Sequence, residues 1–487
     1  MNNTNLTAYE ARKLLKSKEV SSAELTTKAL RQITENNEKL NFAISIELDY
    51  ALKMAESFDK TACKGVELNS IQGLPIAVKD NICTVFSKTT CASRMLKGYV
   101  SPYNATVIDK LSDSIITAKL NMDEFAMGST TETSYFGAVK NPHDIEKSPG
   151  GSSGGCAAAV AVTDALMTLG SDTGGSIRLP AAHCGVVGLK PTYGSVSRYG
   201  LIAFASSLDQ IGPICKSVKD TAMLYDAICG HDKRDLTSIG REYPSALKCL
   251  TGNIRGLKIG VPDEYFTSDI NEDVKTAIFK TLTTLEKLGA ELIPISLKHA
   301  QYALSAYYII SSAEASSNLS RFDGVRYGYR RDDNSSIEEL FVNSRTEGFG
   351  DEVKRRILLG TFVLSEGYYD KYYLKAKQTA QLIKSDFQNA FSAIDVIATP
   401  VSFNTAPKLN QKRSPVSVYS EDFCTVSANL CGIPAISVPC GFDKDSMPIG
   451  IQFMADSFRE DLLLNTAYAV ETELNLFQWA RRESYVR

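Results

Sequence analysis

The chain has 487 residues, 44% hydrophobic and 22% charged, and its 53 basic and 56 acidic side chains leave a net charge of −3. This is ordinary globular composition, with chain enough for one large enzyme core or two to three average domains. Near-neutrality excludes a general electrostatic grip on phosphate backbones, and the lack of any run of ~18 apolar residues excludes a spanning helix.

The first sixty residues read as helices. Thr7 with Glu10 and Ser21 with Glu24 match the capping-box spacing, and Leu25, Ala29, Leu30 and Ile33 follow at helical intervals. Leu74–Val78 is a short apolar run, expected to be a buried strand that emerges at Lys79 and Asp80. Ile115–Leu120 is a second strand candidate. Gly256–Val261 opens a strand-helix-strand unit. Its helix runs through Val274, Ile278, Leu282, Leu285 and Leu288, Gly289 stands at the C-terminal cap, and the return strand begins at Ala290. Asp395–Thr399 and Ala435–Val438 are further β-rich segments. Strands alternating with helices imply an α/β fold with a mixed, largely parallel sheet covered by helices on both faces. One domain over 1–487 is the economical reading: a helical segment at 1–65, the informative motifs within 66–240, a helical and βαβ elaboration over 255–380, and the remainder of the core from 381 to 487.

Eleven cysteines, an odd number with no Cys-x-x-Cys pair, suggest reduced thiols and no zinc site. The start lacks a basic-then-apolar leader. A soluble, cytoplasmic protein is expected.

Two glycine-rich segments carry the chemistry. In the first, Gly150, Gly151, Gly154 and Gly155 bracket Ser152 and Ser153, just before an Ala/Val-rich helix. In the second, Asp172-Thr-Gly-Gly-Ser176 leads to Arg178. Three readings fit: surface loops, a phosphate cradle at a helix start, or a nucleophilic serine served by an oxyanion hole. The phosphate reading lacks the Gly-Lys-Ser/Thr that a P-loop needs. The nucleophile reading needs a base. Among the four histidines, only His183, close to the second loop, competes with Lys79. Burial at the end of an apolar strand disfavours charged lysine and would make Lys79 an acceptor. Asp172 and Arg178 are expected to brace the loop as an ion pair.

The run Gly73-Leu-Pro-Ile-Ala-Val-Lys79-Asp-Asn, the Gly-Gly-Ser-Ser-Gly-Gly segment and Asp172-Thr-Gly-Gly-Ser-Ile-Arg178 occur in that order and closely resemble the amidase signature family. The resemblance implies a Ser-Ser-Lys triad: Ser176 as nucleophile, Ser152 as bridging serine and Lys79 as terminal base. The backbone of Thr173, Gly174, Gly175 and Ser176 would form the oxyanion hole. A bridging hydroxyl both donates and accepts, so such a triad can carry a proton to the departing nitrogen.

Asn121–Gly128, Ser316–Gly324, Val353–Thr361 and Leu430–Pro439 resemble one branch, the A subunits of glutamyl-tRNA(Gln)/aspartyl-tRNA(Asn) amidotransferases. That resemblance implies glutamine as substrate, with Arg356 for its α-carboxylate, Asp422 for its α-ammonium and Tyr307 as a further contact. Arg355 is the neighbouring alternative to Arg356, and Ser129 and Thr130 are further candidates near the carbonyl. It also implies B and C subunits in a heterotrimer. The B subunit would use ATP and Mg²⁺ and grip the mischarged tRNA, with no metal or cofactor in this chain. A stand-alone amidase acting on small neutral amides would share the triad but need no paired charges.

Overall fold

The computed structural model describes residues 6–62, 71–267 and 269–475. Cys63 lies outside them, and the ten described cysteines are free thiols.

Both N-terminal capping boxes form. Thr7 caps the helix Ala8–Ser17 and Ser21 caps Ser22–Leu40, each reciprocated by the glutamate three residues on. These glutamates satisfy helix-end N–H groups that would otherwise need water. The βαβ unit also forms, with the helix Glu272–Lys287 ending at Gly289, whose φ of +98° suits glycine.

Eleven strands make one sheet among the described residues: β1 (Ala43–Ile46), β2 (Pro75–Lys79), β3 (Ile115–Leu120), β4 (Met167–Asp172), β5 (Val187–Lys190), β6 (Gln210–Cys215), β7 (Lys258–Pro262), β8 (Glu291–Ile295), β9 (Val396–Pro400), β10 (Ala435–Phe442) and β11 (Pro448–Ala455). Their order is β1-β3-β2-β4-β6-β5-β10-β11-β9-β7-β8. The α/β class and the mixed sheet are as expected, but the parallel share is smaller. Only β3-β2-β4 and β9-β7-β8 pair in parallel. The six central and edge pairings among the rest are antiparallel. The reason is local: β10 and β11 are joined by a short turn, which forces an antiparallel pair, whereas parallel pairs need crossover helices.

Helices cover both faces. Along β2, Ile76 and Val78 enter one core while Ala77 enters another, as a period of two requires. The first core packs against the helices Ala8–Ser17, Val218–Ile228, Glu272–Lys287 and Glu460–Leu474. The opposite face is covered by Ser22–Leu40 and Gly154–Val162 at one end. At the other end it is covered by Ala303–Leu319, Asp351–Leu364 and Lys375–Phe391. None of the described helices is long and apolar enough to cross a membrane.

Candidate active site

Parallel pairing of β3, β2 and β4 brings their C-terminal ends to one edge of the sheet. Lys79 closes β2 and is registered with Leu120, while Asp172 closes β4. Ligand sites in open α/β sheets collect at such carboxyl ends, because the following loops converge there. Asn121–Asp123, Asn81 and Thr173–Ser176 are those loops here.

Lys79 is fully buried. Its Nζ lies 2.7 Å from Ser152 Oγ and donates to the Ser171 carbonyl at 3.2 Å and to Ser171 Oγ at 3.0 Å. Burial lowers its pKa to about 8, against the opposing pull of Asp123, Asp172 and Asp209. The protonated amine donates to all three oxygens; once neutral, with its two N–H groups kept on Ser171, its lone pair would face the Ser152 hydroxyl. Asn81 Nδ2 also donates to Ser171 Oγ, at 2.9 Å, fixing that hydroxyl in place.

Ser152 itself is fully buried, two residues before the buried helix Gly154–Val162. A Cβ on Gly151 would stand 2.1 Å from Asp123 Oδ2, 2.6 Å from the Thr130 nitrogen and 2.8 Å from the Ser129 carbonyl carbon. Only glycine lets the serine loop press this close. The Ser153 N–H donates to the Ser176 carbonyl at 3.2 Å, joining the two glycine-rich loops at their serines. Lys79, Ser152 and Ser176 are therefore gathered at one place from three separate stretches of chain.

The second loop is built on the expected brace. Arg178 donates from Nε and Nη2 to the two oxygens of Asp172, both at 3.0 Å, and both side chains are fully buried. Burial alone would raise the Asp172 carboxyl. The Arg178 charge outweighs it and holds the group well below the usual carboxylate range. Asn429, Gln452 and the Thr425 carbonyl take the remaining guanidinium donors. Asp172 Oδ1 also accepts the Gly175 N–H at 2.8 Å. Gly175, expected among the oxyanion donors, thus spends its N–H on bracing the loop, because the strand-end carboxylate turns back under it. Thr173 is held by its hydroxyl, which donates to Asp209 at 2.6 Å.

His183 is buried at the end of the helix Arg178–Cys184. It lines a small cavity with Ser402, Asn404 and Thr405, and burial pushes its pKa down to about 4. It makes no hydrogen bond to Lys79, Ser152 or Ser176 among the described residues.

Tyr307 lies across the Thr173–Ser176 loop: a Cβ on Gly174 would stand 2.5 Å from its ring. Beside it is a cage of charge and aromatic rings. Arg356 is 3% exposed, whereas its neighbour Arg355 points outward to Glu352 at 48%. Arg356 Nε donates to Glu352 Oε1 at 2.7 Å, and its guanidinium carbon sits 4.4 Å from the Tyr308 ring centroid and 4.7 Å from that of Tyr419. Its Nη1 is buried without an acceptor. Tyr308 donates its hydroxyl to Asp422 Oδ2 at 2.6 Å, and Tyr419 donates to Glu352 at 2.8 Å. Burial pushes the Asp422 carboxyl up to about 7, opposed by the Tyr308 hydrogen bond and the Arg356 charge.

Ser171, Asp209, Glu352, Tyr308 and Tyr419 were not singled out in the sequence. Glu352 carried a signal, standing four residues before Arg356 at ion-pair spacing on a helix. The others are assembled only by tertiary contact. No group of three or more His, Cys, Asp or Glu among the described residues could hold a metal ion.

Comparison with known proteins agrees with this geometry. Residues 24–464 match the amidase family. The A subunit of the glutamyl-tRNA(Gln) amidotransferase of Halothermothrix orenii is 51% identical over 473 residues, covering 97% of this chain and 98% of that protein. The protein of the same name from Coxiella burnetii is 50% identical over 484 residues, covering 99% of each. Among solved structures, the A subunit of the Thermotoga maritima glutamyl-tRNA(Gln) amidotransferase superposes with a TM-score of 0.79 at 40% identity, covering 96% of this chain and 94% of that one. The peptide amidase of Stenotrophomonas maltophilia does so with 0.82 at 27%, covering 97% and 98%. The chain belongs to the amidase family, in the branch of the glutamyl-tRNA(Gln) amidotransferase A subunits.

Proposed function

We propose that the chain hydrolyses glutamine to glutamate and ammonia as the glutaminase component of a tRNA-dependent amidotransferase. Neutral Lys79 takes a proton from Ser152, which takes one from Ser176 as its oxygen attacks the side-chain carbonyl. The amides of Thr173, Gly174 and Ser176 receive the oxyanion on the loop that Gly175, Asp172 and Arg178 brace. The relay then runs backward and delivers a proton to the departing nitrogen, since free amide anion is a very poor leaving group. Water hydrolyses the glutamyl ester on Ser176 by the same proton path.

The observation that carries glutamine over a simple amide is the buried Arg356 nitrogen with no acceptor. A buried, unpaired guanidinium donor is costly, and an α-carboxylate would satisfy it. Asp422 would take the α-ammonium and Tyr307 would cover the carbonyl end. An apolar-amide site would need none of these charges.

Ammonia would pass to a B subunit that uses ATP and Mg²⁺ to amidate Glu-tRNA(Gln), Asp-tRNA(Asn) or both, with a C subunit completing a cytoplasmic heterotrimer. The relatives' names and the near-neutral charge of this chain support that division. We read the chain as a single domain because one continuous sheet unites the proposed segments.

Arg356→Ala and Asp422→Ala test the reading. Each removes a charged hydrogen bond of about 1.5–3 kcal/mol, so the KM for glutamine should rise roughly 10- to 150-fold. Hydrolysis of a small amide without the amino-acid head should change little. Equal losses on both substrates would assign the pair to the fold instead.

A further inference from the structure

Resting on that reading, we infer that Glu124 is a positioning residue that ties the serine loop to the helix carrying Arg356, setting the distance between the triad and the amino-acid head site. It neighbours Asp123, whose N–H donates to the Ser152 carbonyl at 3.2 Å. The Asp123 carboxylate accepts the Thr131 N–H at 2.8 Å and the Thr133 hydroxyl at 2.9 Å, and it fills the space a Cβ on Gly151 would need. Asp123 therefore belongs to the serine side.

Glu124 points the other way. Its Oε2 accepts the Gly350 N–H at 2.8 Å, and its Oε1 accepts the Ser93 hydroxyl at 2.5 Å. Gly350 is the N-cap of the helix Asp351–Leu364 and offers no side chain to cap it. The carboxyl of Glu124, from a residue 226 positions earlier, instead accepts the N–H of the cap residue itself, fixing where the helix begins. A Cβ on Gly350 would lie 2.4 Å from Glu124 Oε2, so glycine is what lets the carboxylate approach. Arg356 and its partner Glu352 lie within the first two turns of that helix. The turn holding Asp123 and Glu124 is also rigidly placed. Phe125 and Ala126 adopt φ of +50° and +63°, and the Phe125 N–H donates to the Cys91 carbonyl at 2.9 Å. Adjacent residues with carboxylates facing opposite sides thus form a short link between the chemistry and the recognition of the head group.

The test compares Glu124→Ala, Glu124→Gln and Arg356→Ala in the full chain, on glutamine and on propionamide, with amide hydrogen exchange read in parallel. Glu124→Ala should raise the KM for glutamine at least ~5-fold while leaving kcat/KM for propionamide within about twofold. In the Arg356→Ala background it should add little, because coupled residues are non-additive. Exchange should speed up in a peptide covering 349–356 but not in the helix Lys375–Phe391. Glu124→Gln should behave nearly as the parent, since its carbonyl still accepts from Gly350 while Ser93 turns to donate to the Gly348 carbonyl, 3.2 Å away. Glu124→Asp, too short to reach Gly350, should reproduce the alanine variant in milder form and serves if the latter does not fold. Equal losses on both substrates, full additivity with Arg356→Ala, or unchanged exchange at 349–356 would overturn the inference. If Arg356→Ala itself leaves the KM for glutamine unchanged, the glutamine reading fails, and the exchange measurement still decides the link.

Discussion

Lys79 is where a single side chain decides most. Its aliphatic stem ends an entirely buried strand and its amine is held by Ser171 and Ser152. Burial brings its pKa to about 8, so the acceptor form grows as pH rises through that value and is lost below it. The kcat for glutamine hydrolysis should therefore climb with pH toward a plateau above about 8, measured as glutamate release across a pH series. Lys79→Ala should cost at least ~10³-fold, near the upper range for loss of a general base that also returns the leaving-group proton. Lys79→Arg should fail as well, since guanidinium stays protonated. A larger loss from His183→Ala than from Lys79→Ala would break the assignment. The choice between these two bases was visible in the residue types. The role of Ser171 was not, because a serine in a strand carries no signal until its neighbour across the sheet is known.

At the scale of an element, the Thr173–Ser176 loop works because it is overbraced. Arg178 makes five hydrogen bonds to Asp172, Asn429, Gln452 and the Thr425 carbonyl, all buried. Arg178→Ala leaves an uncompensated Asp172 charge and unpaired amides, so stability should fall by about 3–5 kcal/mol, read as a drop in the denaturation midpoint with unchanged slope. The space above the loop is equally constrained. In Gly174→Ala the new methyl would meet the Tyr307 ring at 2.5 Å, so either the ring or the loop must move. The kcat should fall about 10²-fold, as when one oxyanion donor is misplaced, with the melting temperature changed by only a few degrees. A variant that kept its kcat would show that the Gly174 amide faces no oxyanion. The glycines here were legible as a pattern in the sequence, but the side chains they make room for were not.

For the whole molecule, the sheet sets the division of labour. The β3-β2-β4 end presents Lys79 and the loops of Ser152 and Ser176, while the helices Ala303–Leu319 and Asp351–Leu364 bring Tyr307, Tyr308 and Arg356 toward them from the opposite-face core. A site shared between two packed layers is sensitive to how they sit, and ammonia released with no acceptor is wasted. Glutaminase activity of the chain alone should therefore be weak. Adding B and C subunits, then ATP and mischarged tRNA, should raise kcat/KM stepwise, with a coupling of about 1–3 kcal/mol, roughly 5- to 150-fold. Glutamate release measured for each combination checks this. An isolated chain with full activity, indifferent to every addition, would favour the stand-alone amidase.

Local rules were enough to fix the capping boxes, the Gly289 helix stop, the buried strand ending at Lys79 and the ordered motifs that placed the chain in its family. Each depends on residues a few positions apart, where spacing and side-chain chemistry act directly. The ratio of antiparallel to parallel pairs was not available that way, because strand partners such as β5 and β10 are separated by more than two hundred residues. Nor was the inward turn of Arg356 over Arg355: both sit on one helix with the same charge. Only packing against Tyr308 and Tyr419 decides which guanidinium loses its water and which keeps it.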